Sequence, residues 1–444
     1  MSTFPLPPHD QPGLDLLLNR DLWSRWQADG VVFPLESFRA ACRYFRFKPD
    51  TTSRLYVAGV DQQSASEPPE GIMLHIFPDA ERARVAYAKE MSKRHKIGTG
   101  GYQPFLCEES CIVGIPYPND PEIPDLRHLY SPDSFRRTLE DLLADYPREQ
   151  WRIQRSLTRL TLLNYKPGRR AVYQVKVKIR RREGDEKVRV RLHVKVENPR
   201  SADRSHQNLL QVHSALPDGS PWRVPSPRGR IDSRALMAAE WVEGTPLREI
   251  ASSPEKAGDA FHAVGAALAS FHRLPVDFDH LPSPVEESDS LSRHGKDLAL
   301  LLPEKAAQIE RLSERIAMEV SRLALSPSAP IHNDFHLDQV LISESGPVLV
   351  DLDRSGVGYA ASDVGTFLAS LDENRVDSAL GAEFLRGYEK SRGEPLPADW
   401  IRLSRAIATF RRAGFPFRDL DPDWPLRLAE RLEETRLLLE ELDR

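Results

Sequence analysis

Between Ile331 and Arg354 the chain carries a pattern that few folds accommodate: a polar loop, an apolar run, a tight return, and a second apolar run ending in acids. The loop and first run read Ile331-His332-Asn333-Asp334-Phe335-His336-Leu337-Asp338-Gln339-Val340-Leu341, and the return reads Val348-Leu349-Val350-Asp351-Leu352-Asp353-Arg354. Two short apolar runs this close together pair as a hairpin. The hairpin sets Asp334 and Asp351 together, although 17 residues separate them. Two carboxylates converging at strand ends suit hydroxyl activation beside a divalent cation. One takes the hydroxyl proton and the other holds Mg²⁺ on nucleotide phosphates. A lone Asp-x-Asp such as Asp351/Asp353 is ordinarily a solvated strand end; with His332-Asn333-Asp334 at this spacing it points to chemistry.

At 444 residues the chain exceeds one ordinary core, so more than one lobe is expected. Residues 1–148 show short alternating strands broken by Pro and Asp clusters, residues 149–245 a denser β pattern, and residues 246–444 mostly helical periodicity apart from 331–364. The clearest strands run from Ala171 to Ile179 and from Val188 to Val196, each alternating as a sheet with one wet face requires. Tyr165-Lys166-Pro167-Gly168-Arg169-Arg170 makes a tight turn before them. From Asp259 to Leu274, Phe261, Val264, Ala267, Leu268 and Phe271 share one helix face. Two amphipathic helices are expected between 285 and 325, and a packed terminal helix from Trp424 to Leu442.

A weak internal repeat links the first two regions. Phe47-Lys48-Pro49 matches Tyr165-Lys166-Pro167, and Leu74-His75-Ile76 matches Leu192-His193-Val194, both at an offset of 118 residues. The amino-terminal region therefore reads as a degenerate copy of the second. Phe77 stands where Lys195 does, so the first copy reads as a structural cap.

Composition narrows the function classes. Hydrophobic residues at 40% and charged residues at 29% are the balance of a water-soluble globular protein. A net charge of −5 does not favour nucleic acid as a partner, and the basic cluster Arg180 to Arg182 sits beside Glu183, Asp185 and Glu186 at a hairpin tip. Three cysteines, Cys42, Cys107 and Cys111, do not make a secreted disulfide framework. The Cys107/Cys111 pair lacks the further ligands of a zinc site. The amino terminus has no basic segment followed by an apolar stretch, and no run reaches the roughly 18–20 apolar residues of a membrane span. A cytoplasmic location without a membrane partner is expected.

At the acid-bearing segment the chain resembles the aminoglycoside phosphotransferase and choline kinase-like superfamily, relatives of protein kinases. His332 and Asp334 match its His-x-Asp loop, Asp351 its metal-binding Asp, and Gly358 with Asp363 its Gly-x-x-x-x-Asp segment. The resemblance implies Asp334 as catalytic base, His332 as a loop-ordering residue and Asp363 as a clamp on the loop. Gln339 stands where the family's metal-binding Asn usually does, and its carbonyl oxygen can still coordinate Mg²⁺. His336-Leu337-Asp338-Gln339-Val340-Leu341 looks similar to maltokinases, as do the overall length and the cap. That likeness stops after Asp351, where Leu352-Asp353-Arg354-Ser355 replaces their acidic run.

Upstream, the resemblance implies a phosphate-covering turn at Gly168 with Arg169 beside it, and Lys195 on the α- and β-phosphates. It also implies an adenine-binding hinge at Glu240-Trp241-Val242-Glu243-Gly244. The expected fold is α+β and protein-kinase-like, bilobal, with an extra amino-terminal cap. The expected cofactors are ATP (or GTP) and Mg²⁺. The family's helix Glu, which orients the Lys, is missing: residues 201–216 offer only Asp203, Gln207 and Gln211. That absence and Gln339 leave a nucleotide-binding pseudokinase open as the rival. A sugar, an aminoglycoside and a maltose-like oligosaccharide all remain open as acceptors.

Overall fold

The computed structural model describes residues 4–18, 41–48, 50–58, 71–92, 103–154, 158–198, 202–231, 233–252, 254–280, 282–323 and 328–443. Pro49 of the repeat and Ser201, ahead of the helix without a Glu, lie outside them. The chain forms two compact units. One comprises residues 1–203, 228–241 and 417–422, and the other 204–227, 242–416 and 423–444.

The first unit holds two antiparallel sheets. Strands β1 (Ala41–Arg46), β2 (Ser53–Ala58), β3 (Gly71–Ile76), β4 (Phe105–Cys107) and β5 (Ile112–Pro116) lie in the order β1-β2-β3-β5-β4. The second sheet contains β6 (Trp151–Ile153), β7 (Arg159–Lys166), β8 (Arg170–Arg181), β9 (Lys187–Glu197), β10 (Pro227–Ile231) and β11 (Leu236–Glu240). Here β7-β8-β9-β11-β10 repeats the serial order of the first sheet, with β6 pairing the far end of β8. A helix follows the third strand in each case, Ala80–Met91 after β3 and Ala202–Ala215 after β9.

Alternation in β8 buries Ala171, Tyr173, Val175, Val177 and Ile179 on one face. These pack with residues of the amino-terminal segment into one core, so the regions divided at residue 148 in sequence share a hydrophobic interior. Tyrosines tie them together. Tyr56 on β2 meets Tyr165 on β7 edge-on at 4.7 Å, and Tyr117 meets Tyr165 at 4.9 Å. The Tyr117 hydroxyl hydrogen-bonds that of Tyr173. Burial pushes the Tyr56, Tyr117, Tyr165 and Tyr173 hydroxyls well above their ordinary range, so each stays neutral, and those of Tyr117, Tyr165 and Tyr173 are hydrogen-bonded. A smaller aromatic group joins Phe417, late in the chain, to Phe4, Phe45 and Phe47, at 5.8, 5.3 and 5.4 Å.

The second unit is mainly helical, with short strands β12 (Thr245–Pro246), β13 (Ser328–Ile331), β14 (Val340–Ser343), β15 (Gly346–Leu349) and β16 (Gly356–Tyr359). The uneven region after residue 284 forms two helices, Pro284–Leu301 and Ala306–Leu323, the first opened by a reciprocal Ser283/Glu286 capping box. Among the described residues no helix is long and apolar enough to cross a membrane.

Helices Pro254–Phe271 and Ser378–Arg392 approach each other unusually closely. A β-carbon on Gly265 would run into the backbone of Phe384, and one on Gly387 into the carbonyl of His262. Asp377 starts the second helix by accepting from the Ala379 amide at 2.9 Å, and Gly393, at φ +91°, ends it. The glycine contact sets Tyr388 against His272 just beyond the first helix, a pair that reaches the functional loop. Gly387→Ala is expected to lower stability to urea by about 1–3 kcal/mol through overpacking. Gly258→Ala, in the same helix pair but with only an ordinary 3.8 Å contact to the Glu383 side chain, should leave the midpoint unchanged or raise it.

Candidate active site

Strand pairing sets the two acid-bearing loops side by side. β13 runs antiparallel to β16 with Ile331 opposite Gly356, and β14 to β15 with Val340 opposite Leu349. The loop 332–339 leaves β13 and enters β14, while 350–355 leaves β15 and enters β16. The Val350 amide donates to the Gln339 carbonyl at 3.0 Å, which sets Gln339 beside the residue preceding Asp351. His332 is fully buried, and its Nε2 meets the Val350 carbonyl at 2.9 Å. A carbonyl accepts only, so that nitrogen carries the proton. Asn333 (φ +60°) and Asp351 (φ +61°) both adopt the left-handed conformation, which short polar side chains tolerate best among non-glycine residues.

One carboxylate orders the loop. Asp363, in the first turn of helix Ala360–Glu373, is completely buried. Its Oδ2 accepts from the His332 amide at 2.6 Å, and its Oδ1 from the Asn333 amide at 2.8 Å. The Nε2 of His272 lies 3.1 Å from Oδ2, and its Nδ1 lies 2.9 Å from the Tyr388 hydroxyl. Burial lifts that hydroxyl to about 12, so it stays protonated. The Asp363 carboxylate only accepts, so His272 Nε2–H donates to it, and in the neutral ring Nδ1 then accepts from the Tyr388 hydroxyl. The Asp363 clamp was visible as a motif. His272 and Tyr388 were not, because a His at the end of an apolar helix and a Tyr in another carry no spacing signal.

Asp334 is left partly open, with its side chain 31% exposed and Arg354 3.6 Å from Oδ1. Helix Ala202–Ala215 steadies the neighbouring segment through Asn208, whose amide donates to the carbonyls of Leu352 at 2.9 Å and Ser355 at 3.1 Å. Arg204 also donates to Ser355 O, at 3.0 Å. Gln339 bonds His336 Nε2 at 3.1 Å, and burial holds the His336 imidazole below its usual range despite nearby Asp334. Arg248 grips Asp338 with two bonds, at 2.5 and 2.7 Å, and lowers that carboxyl. Asn208, Arg248 and Arg354 carried no signal in the sequence.

Among the described residues, no group of three or more His, Cys, Asp or Glu side chains could hold a metal ion. Asp351 and Gln339 are neighbours through the Val350–Gln339 bond, and both offer oxygen. One or two protein oxygens fit Mg²⁺, which takes its other ligands from phosphates and water.

In the first unit, Lys195 is 5% exposed on β9, opposite Val172 of β8 and Met237 of β11. Glu240 ends β11 opposite Leu192. The compact units change between Trp241 and Val242, inside the segment expected to be a hinge. Two of the expected stand-ins for the helix Glu are engaged elsewhere: Asp203 pairs with Arg230, and Gln211 accepts from the Asp277 amide at 2.8 Å. Gly168 stands in the turn between β7 and β8 that is expected to cover the phosphates. Its amide already donates to Asp120 Oδ2 at 2.7 Å and the glycine is buried, so the amide is not open to a phosphate. What the turn exposes is Arg169.

The sequence profile described as the Phosphotransferase enzyme family matches residues 174–404, just over half of the chain and a span holding Lys195, Asp334, Asp351 and Asp363. No curated protein matches the chain. Solved structures that resemble it include a choline kinase from Cryptosporidium parvum Iowa II, with 14% identity over 65% of this chain and 91% of that one, at a TM-score of 0.45. A gentamicin complex of APH(2″)-IIa shares 14% identity over 70% and 98%, at 0.48. The amicoumacin kinase hAmiN shares 16% over 70% and 95%, at 0.49.

The clamp can be tested apart from any activity. Asp363→Asn leaves one carbonyl oxygen for donors that the carboxylate serves with two, so about 2–3 kcal/mol of stability to urea should be lost. Asp353→Asn, at a half-buried position nearby, should cost under about 1 kcal/mol.

Proposed function

Because the chain belongs to the Phosphotransferase enzyme family, we propose that it moves the terminal phosphate of ATP or GTP onto a hydroxyl of a sugar, an aminoglycoside or a related small molecule. The observation that carries this is the placement of Asp334: a partly open carboxylate on a loop whose two preceding amides are fixed by Asp363. A base held this way meets an acceptor hydroxyl in one orientation, which is where most of the rate of phosphoryl transfer arises. Asp334 accepts the hydroxyl hydrogen bond and takes the proton as the new P–O bond forms and the bond from the γ-phosphorus to the bridging oxygen breaks, releasing ADP or GDP. His332 has no contact with substrate in this scheme; it holds the loop to Val350. Asp351 and Gln339 are the residues that would hold Mg²⁺, which when bound neutralises charge on the β- and γ-phosphates. Lys195 is assigned to the α- and β-phosphates, Arg169 to the phosphates as well, and the backbone at Glu240 and Val242 to the adenine. The cytoplasm, where both nucleotides are kept, is the proposed location.

A second reading, a pseudokinase that binds nucleotide without transfer, draws support from the engaged Asp203 and Gln211. One experiment separates the two. Purified protein is assayed for acceptor-stimulated ADP or GDP release across sugars, maltose-like oligosaccharides and aminoglycosides. The enzyme reading expects turnover that falls about 10²–10⁴-fold in Asp334→Asn while nucleotide binding is kept. Binding of nucleotide with no acceptor-dependent turnover would favour the pseudokinase.

A further inference from the structure

The turn between β7 and β8 joins two strands of the second sheet, yet it is held by residues of the amino-terminal segment. Asp120 is 3% exposed and uses both carboxylate oxygens. Oδ2 accepts from the Gly168 amide and from the Tyr165 hydroxyl, each at 2.7 Å, and Oδ1 accepts from the Glu122 amide at 2.9 Å. Arg54 of β2 pairs with Glu122 at 2.5 Å. Both side chains occupy the space that a β-carbon on Gly168 would need. Gly168 itself has φ +72°, a conformation open to glycine at little cost. The turn is closed internally by the Arg169 amide on Lys166 O at 2.9 Å and joined to the end of β9 by the Asn198 amide on Arg169 O at 2.9 Å.

We propose that Asp120 is a positioning residue for the nucleotide: by taking the Gly168 amide it fixes the β7–β8 turn before nucleotide arrives, so that the turn presents Arg169 and not a free amide. Burial raises the Asp120 carboxyl, so an ionised group here is costly, and the three donors are what offset that cost. A hydrophobic side chain would fill the same space without that cost. What only an acceptor supplies is a strong bond to one backbone amide. A Gly-containing turn left free would lose more freedom on binding than most. Ordering it in advance removes that loss from the binding step. The functional half of this proposal rests on the nucleotide chemistry above; the hold on the turn does not.

The full-length protein is compared with Asp120→Ala by hydrogen exchange resolved at the turn, and by nucleotide kinetics and calorimetry with Mg²⁺ and a non-hydrolysable ATP analogue. Without nucleotide, the Gly168 amide should exchange slowly in the wild type and about tenfold faster in the variant, the weight of one buried hydrogen bond. The analogue should not slow it further in the wild type. The nucleotide KM and the analogue's Kd should rise several-fold to about tenfold, with kcat held within about twofold. If Asp120→Ala does not fold, Tyr165→Phe removes one donor from the same oxygen and should move exchange and KM the same way by less. Rapid exchange at Gly168 in the wild type, or slowing on addition of the analogue, overturns the hold. A fall in kcat at constant KM overturns the positioning role. If the wild type binds no nucleotide, the positioning role fails together with the proposed function, and exchange alone decides whether Asp120 holds the turn.

Discussion

Two consecutive backbone amides, His332 and Asn333, share one buried carboxylate, and the geometry of the candidate site depends on it. Asp363 contributes no group to the proposed chemistry. It removes the freedom of the loop that would otherwise let Asp334 wander. Its ability to do so depends in turn on His272 and Tyr388, and so on two helices packed closely enough that glycine is required at Gly265 and Gly387. A backbone contact between two helices thereby bears on the orientation of a carboxylate that neither helix contains.

The β-rich unit is organised by a different device, polar groups buried in a mainly apolar core. Tyr56, Tyr117, Tyr165 and Tyr173 join the two sheets by ring contacts, with the Tyr117 and Tyr173 hydroxyls bonded to each other. Tyr165 links that cluster to Asp120. The two sheets repeat one serial strand order but diverge in chemistry, with Phe77 in the first set against Lys195 in the second. The first sheet nonetheless reaches the second through side chains that no motif describes.

What the sequence made legible was whatever depends on local pattern. The alternation from Ala171 to Ile179 and from Val188 to Val196 marks β8 and β9 to within one or two residues at each end. The spacing of His332, Asp334, Asp351 and Asp363 marks the segment from β13 to the helix Ala360–Glu373, where Asp363 holds the His332 and Asn333 amides. What escaped were partners distant along the chain. His272 serves Asp363 from 91 residues away, and Asn208 serves Leu352 from 144. Gly168 shows the converse: Pro-Gly correctly signals a turn, but the direction in which its amide points is decided by Asp120, 48 residues earlier. Periodicity reports which face of an element is buried; it does not report what an individual donor finds there.

The segment 417–422 belongs to the β-rich unit, where Phe417 packs on Phe4, Phe45 and Phe47. Chains grow from the amino end at a few to some tens of residues per second, and units near that end ordinarily finish folding first. Here the β-rich unit draws on Phe417, which is translated only after residues 242–416 of the helical unit. The contacts of Phe4, Phe45 and Phe47 with Phe417 therefore form only after that stretch of the helical unit has been made.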